Sequence, residues 1–108
     1  MISKTSIISS KSNIHDSVSI GPFCIIEDGV TIGEGTKLVS NIHISGNTSI
    51  GKNNIFFPFS SIGSIPQDKK FKGEDSKLII GDNNTFREHI TINPGTTDGG
   101  MLTKINNN

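Results

Sequence analysis

Residues 18–38 read VSIGPFCIIEDGVTIGEGTKL, and within them Ile20, Ile26, Ile32 and Leu38 stand six residues apart. The phase continues without a miss in both directions, through Ile14, Ile8 and Ile2 toward the N-terminus and through Ile44, Ile50, Phe56 and Ile62 toward the C-terminus. Hydrophobic residues make up 31% of the chain, so eleven successive apolar hits in one phase would arise by chance roughly once in several hundred thousand sequences. Six matches neither the 3.6-residue turn of an amphipathic helix nor a heptad, but it accommodates a short strand and a corner. Three such units close one coil of a triangular prism, and stacked coils form parallel ladders about 4.8 Å apart.

The spacing therefore predicts an all-β chain, a parallel β-helix of hexapeptide repeats with three strands per 18-residue coil. Three internal columns follow: Ile8, Ile26, Ile44 and Ile62; Ile14, Ile32 and Ile50; and Ile2, Ile20, Leu38 and Phe56. Gly follows the column residue at Gly21, Gly33, Gly51, Gly63 and Gly81, where a tight corner tolerates it. Four residues after the column position come Ser12, Val18, Cys24, Val30, Thr36, Thr48 and Ser60, small or β-branched side chains suited to filling the corners. Asn53-Asn54 and Asn83-Asn84 supply residues that accept left-handed backbone.

Composition points the same way. The six aromatic residues are all Phe, with no Trp or Tyr, so large rings for a shared globular core are scarce, whereas β-branched Ile favours extended backbone. Ten basic and ten acidic residues cancel, which leaves no broad field to attract nucleic acid or an anionic membrane. Cys24 is the only cysteine; its apolar neighbours suggest a buried side chain rather than a nucleophile or ligand. His15, His43 and His89 fall at different hexapeptide positions and read as surface or corner residues, with no convergence of the kind a zinc site needs. No metal or cofactor is expected. No run resembles a signal peptide or membrane span, so a cytoplasmic location is expected.

After Ile62 the next column slots would hold Asp68 and Glu74. A dry prism cannot accept unpaired carboxylates at reasonable cost, so the chain is expected to leave the wall at about residues 64–77, an excursion of two hexapeptides, and to resume with Ile80, Phe86 and Ile92. The excursion, SIPQDKKFKGEDSK, is the most charged stretch of the chain, and projecting segments on rigid scaffolds often carry function.

The spelling of this segment, IPQDKKFKGE, followed by LIIGDNN, FRE, TINPGT and GGMLTK and preceded by GPFCII, resembles the bacterial UDP-N-acetylglucosamine O-acyltransferases of lipid A synthesis. The family pattern Gln-Asp-x-Lys-[Phe/Tyr]-x-Gly-Glu is met by Gln67, Asp68, Lys70, Phe71, Gly73 and Glu74. The resemblance implies a left-handed winding, an exception to the right-handed rule for parallel crossovers. It also implies transfer of a 3-hydroxyacyl chain from acyl carrier protein to the 3-hydroxyl of UDP-N-acetylglucosamine, with Asp68, Gln67 and Lys70 facing substrate. An amide and a carboxylate suit hydroxyl groups, and an ammonium suits a carbonyl or phosphate oxygen.

In relatives a histidine acts as general base in a coil beyond TINPGT and GGMLTK, which this sequence does not contain. The 108 residues are therefore expected to be a single β-helix domain, incomplete at its C-terminal end and inactive alone, with a homotrimer expected for the complete enzyme. Two other readings share the fold. A different sugar-nucleotide acyltransferase is disfavoured by the Gln67-Asp68-x-Lys70 pattern. A non-enzymatic binding module should repeat Thr-x-Thr on every coil, and the outward positions here vary among Lys, Ser, Glu, Asp and Asn.

Overall fold

A two-residue strand is too short to hold itself; it persists only when identical strands lie above and below it. In the computed structural model, which describes residues 1–63, 77–92, 102–105 and 107, that stacking organises the chain. The first strands are β1 (Ile7–Ile8), β2 (Asn13–Ile14), β3 (Ser19–Ile20), β4 (Ile25–Ile26), β5 (Thr31–Ile32), β6 (Lys37–Leu38) and β7 (Ile42–Ile44). They are followed by β8 (Asn47–Ile50), β9 (Ile55–Phe56), β10 (Ser60–Ile62), β11 (Lys77–Ile80), β12 (Thr85–Phe86), β13 (Thr91–Ile92) and β14 (Leu102–Ile105).

Every third strand pairs in parallel. One wall runs β1-β4-β7-β10-β13, a second β2-β5-β8-β11-β14 and a third β3-β6-β9-β12. The registers stack the expected columns: Ile8, Ile26, Ile44, Ile62 and Ile92 in the first wall; Ile14, Ile32, Ile50, Ile80 and Ile105 in the second; Ile20, Leu38, Phe56 and Phe86 in the third, with Ile2 bridging to Ile20. Where the third column widens to aromatic residues, Phe56 and Phe86 stack with centroids 4.6 Å apart. The fold is a left-handed parallel β-helix, as in the solved structures it matches. No helix among the described residues is long and apolar enough to cross a membrane.

The corners are closed by the residues two before each column position. Val18, Cys24, Val30, Thr36, Ile42, Thr48 and Asn54 are all buried there. The polar ones stitch one coil to the next, which satisfies backbone groups that the dry interior would otherwise leave unpaired. Ser6 Oγ donates to the Gly21 carbonyl at 2.7 Å and accepts from Cys24 N at 2.9 Å. Thr36 Oγ1 donates to Gly51 O and accepts from Asn54 N. One coil on, Asn54 Nδ2 donates to Gly81 O at 2.8 Å while Asn54 Oδ1 accepts from Asn84 N at 2.9 Å.

Cys24 has no exposed surface, and burial pushes its thiol above the ordinary pKa of 9.0, outweighing hydrogen bonds to Ile42, Ser6 and Asn41 that act in the other direction. The thiolate is the reactive form, so a disulfide reagent at neutral pH should label Cys24 only after urea unfolding; equal rates for folded and unfolded chain would contradict this packing. A raised pKa means the fold favours the neutral thiol. Its stabilising contribution is therefore present below the ordinary thiol pKa and is lost as pH rises through the shifted value.

Two breaks interrupt the ladder. Bonds across a plain coil span 18 residues, as from Cys24 to Ser6, but those from Lys52 to Asp82 and from Asn84 to Asn54 span 30, two hexapeptides more. Two hexapeptides is the length of the excursion expected from Asp68 and Glu74, which lie outside the described residues. The second break was not anticipated: Ile105, not residue 98, pairs with Ile80, a separation of 25 instead of 18. The slot six residues after Ile92 would hold Asp98, a carboxylate that a dry column could bury only at high cost.

Candidate functional site

Both breaks fall at one corner. The chain leaves the first wall after β10 and again after β13, which are neighbours, and re-enters the second wall at β11 and β14, also neighbours. Residues 64–76 and 93–101 are thus joined to the prism at adjacent points on the same edge, one coil apart. Gln67, Asp68 and Lys70 lie outside the described residues, as do Asn93 and most of TINPGT. The near root of the first segment is tightly held. Gly63 has φ 77°, its N–H donates to Ile92 O at 2.6 Å, and a Cβ there would collide with the Ser45 carbonyl oxygen and Thr48 Oγ1.

Next to this edge, the outward face of the first wall carries Ile25, His43, Ser61 and Thr91 in register on successive coils. His43 Nε2 meets the Glu27 carboxylate on the coil below, an ion pair when the imidazole is protonated. The far corner of the same wall, where the third wall turns into the first, places Phe23, Asn41, Phe59 and His89 one above another, all with φ between 52° and 65°. Phe59 and His89 stack with centroids 5.5 Å apart and planes 10° from parallel. Corner and face together border an open groove of about 510 Å³ that also touches Ile42, Ser60 and Ile90.

The three histidines occupy exposed or half-buried positions, with His43 and His89 both bordering the groove. Among the described residues no three His, Cys, Asp or Glu side chains converge as metal ligands would.

The aromatic corner was missed in the sequence because a hydropathy reading assigns Phe to the core. A signal was present nonetheless. Three residues after a column position, other corners hold Gly29, Gly35, Asn53 and Asn83, all with positive φ, and the same slot at this corner holds Phe23, Phe59 and His89. A bulky L-residue in left-handed backbone costs about 1–3 kcal/mol. Other motif residues prove to be architectural. In FRE, Phe86 stacks on Phe56, the Arg87 guanidinium lies 4.2 Å over the Phe57 ring and Glu88 pairs with Arg87. In LIIGDNN, Leu78 and Ile80 are buried, and Asp82 Oδ1 accepts a hydrogen bond from Lys52 N.

No protein-family model matches the chain. Individual proteins do. The acyl-[acyl-carrier-protein]–UDP-N-acetylglucosamine O-acyltransferase of Psychrobacter sp. is 50% identical over 107 residues, 99% of this chain and 41% of the relative. The solved UDP-N-acetylglucosamine acyltransferase of Bacteroides fragilis superposes with a TM-score of 0.95 at 44% identity, covering 100% of this chain and 42% of that one. Along its whole length the chain is similar to UDP-N-acetylglucosamine O-acyltransferases. The Francisella novicida UDP-N-acetylglucosamine acyltransferase superposes equally well, with a TM-score of 0.94 at 43% identity over 100% of this chain and 40% of that structure. The chain thus spans about two fifths of the length of these acyltransferases.

Proposed function

We propose that this chain forms part of an acyltransferase that moves a 3-hydroxyacyl group from acyl carrier protein to the 3-hydroxyl of UDP-N-acetylglucosamine in the cytoplasm. The observation that carries the reading is its 50% identity over 107 residues to a curated relative of that name. In this reading residues 64–76 form the excursion that reaches substrate, Lys77 already standing in β11. Asp68 and Gln67 hydrogen-bond sugar hydroxyls or the hydroxyl of the acyl chain, and the Lys70 ammonium meets a carbonyl or phosphate oxygen. The general base that takes the proton from the attacking 3-hydroxyl is assigned to a histidine outside this sequence, and the working assembly is a homotrimer with sites between subunits. Turnover by these 108 residues alone should fall below that of a complete relative by more than the roughly 10²- to 10⁴-fold that a positioned base contributes.

The test is a chimera in which this chain replaces the matching span of the Psychrobacter relative. It should transfer the acyl group, and Asp68→Ala within it should lower kcat/KM by about 10- to 100-fold, the cost of a lost hydrogen bond to a charged group. Unchanged kinetics in that variant would remove Asp68 from the site. A folded but inactive parent chimera would count against the whole assignment.

A further inference from the structure

At the corner between the second and third walls, one buried side chain per coil reaches the coil above. Thr36 Oγ1 accepts from Asn54 N at 3.2 Å and donates to Gly51 O at 2.9 Å. Asn54 repeats the pair with its amide, Oδ1 accepting from Asn84 N and Nδ2 donating to Gly81 O. Each time the coil above offers the same two groups, the N–H of its own corner residue and the carbonyl that follows its column residue. Asn84 is the third member of this series. It is 8% exposed, and its backbone is already committed, the N–H to Asn54 Oδ1 and the carbonyl to Ile55 N. Its Nδ2 has no partner among the described residues. A buried amide donor without an acceptor is costly, so it marks a place that a partner fits. The wall above it is open as well. Among the described residues the third wall has four strands where the other two have five, and Phe86 at its top is half-buried, whereas Phe56 beneath it has no exposed surface.

We infer that Asn84 is a positioning residue, whose amide seats the coil that stacks on β12. That coil has begun in register, since Ile105 lies on Ile80. Asn84 Oδ1 accepts the N–H of its corner residue, and Asn84 Nδ2 donates to the carbonyl after its column residue, as Asn54 does for the coil that holds Asn84. The service to catalysis rests on the proposed reaction, in which the general base is a histidine in a coil outside this sequence. Two bonds at the first corner fix the height and phase of everything that follows them along the coil. Reacting groups tolerate little displacement, an error of about 1 Å being enough to cost about 100-fold in rate. Thr36, Asn54 and Asn84 thus hand register from coil to coil by side chain, in parallel with the backbone ladders of the walls.

Asn84→Val and Asn84→Thr in the chimera with the Psychrobacter relative test it. Thr keeps a hydroxyl that can make both bonds, as Thr36 does, and Val has the same shape without one. Amide hydrogen exchange should find the corner N–H above position 84 protected in the parent and in Asn84→Thr, and exchanging about 10-fold faster in Asn84→Val, the effect of one lost hydrogen bond. In Asn84→Val kcat should fall about 10-fold with KM unchanged, and Asn84→Thr should restore it. Unchanged exchange in Asn84→Val, or no protection in Asn84→Thr, would overturn the seat. Faster exchange with an unchanged kcat would overturn the positioning role. An inactive parent chimera whose corner N–H is protected by Asn84 and released by Val would sink the proposed reaction and leave the seat standing.

Discussion

Ile32→Asp should yield a chain that does not fold. Ile32 is 1% exposed and lies between Ile14 and Ile50 in the second column. A carboxylate there meets the aliphatic side chains of Ile14 and Ile50 below and above it, with no donor to pair it. Burying an unpartnered charge, or protonating it first, costs several kcal/mol, a large share of the 5–15 kcal/mol that holds an ordinary domain together. Moving the same substitution one residue back reverses the outcome. Thr31 points outward on the same strand and is exposed, because successive side chains of a strand face opposite ways, so Thr31→Asp should leave the urea midpoint almost unchanged. Circular dichroism and urea titration of the two variants measure the contrast; a folded Ile32→Asp chain with a normal midpoint would contradict the prism.

Gly21→Ala is the second large effect, from a change of one methyl group. The added Cβ would lie 2.8 Å from the Val39 carbonyl carbon and closer still to its oxygen. That carbonyl cannot easily turn aside, because Val39 N donates to Phe56 O on the next coil at 3.0 Å, and Gly21 N itself donates to Leu38 O at 2.8 Å. Overpacking against pinned backbone costs about 3 kcal/mol. Gly29 makes the useful comparison, since its Cβ would find ordinary contact at 3.5 Å, and only its φ of 84° resists substitution, at about 1–2 kcal/mol. Denaturant midpoints should rank wild type above Gly29→Ala above Gly21→Ala, and the opposite order for the two variants would show that coil-to-coil clearance is not what selects Gly at these corners.

The walls were legible because a parallel ladder stacks like on like, so one residue type at one interval encodes both strand and register. The departure after Ile62 was legible by the same logic run backwards, since an unbroken repeat would put Asp68 and Glu74 in slots that only apolar residues can fill. Asp98, six residues after Ile92, carries the same signal in the sequence. The substrate-facing assignments of Gln67, Asp68 and Lys70 rest on spelling alone; no periodicity specifies what a residue outside the ladder will touch. The aromatic corner failed for a different reason. Hydropathy ranks Phe23 and Phe59 with the core, and only their slot, shared elsewhere by Gly and Asn, says that they point outward.

The two breaks lengthen the interval between paired strands by different amounts, from 18 residues to 30 and to 25, yet both return the chain to the same wall in the same phase. Hydrogen bonding within the wall thus acts as a grating of fixed pitch, about 4.8 Å per line, onto which segments of any composition and almost any length can be mounted. Substitutions between the lines can change what is recognised, while the spacing of the mounting points stays that of the backbone itself.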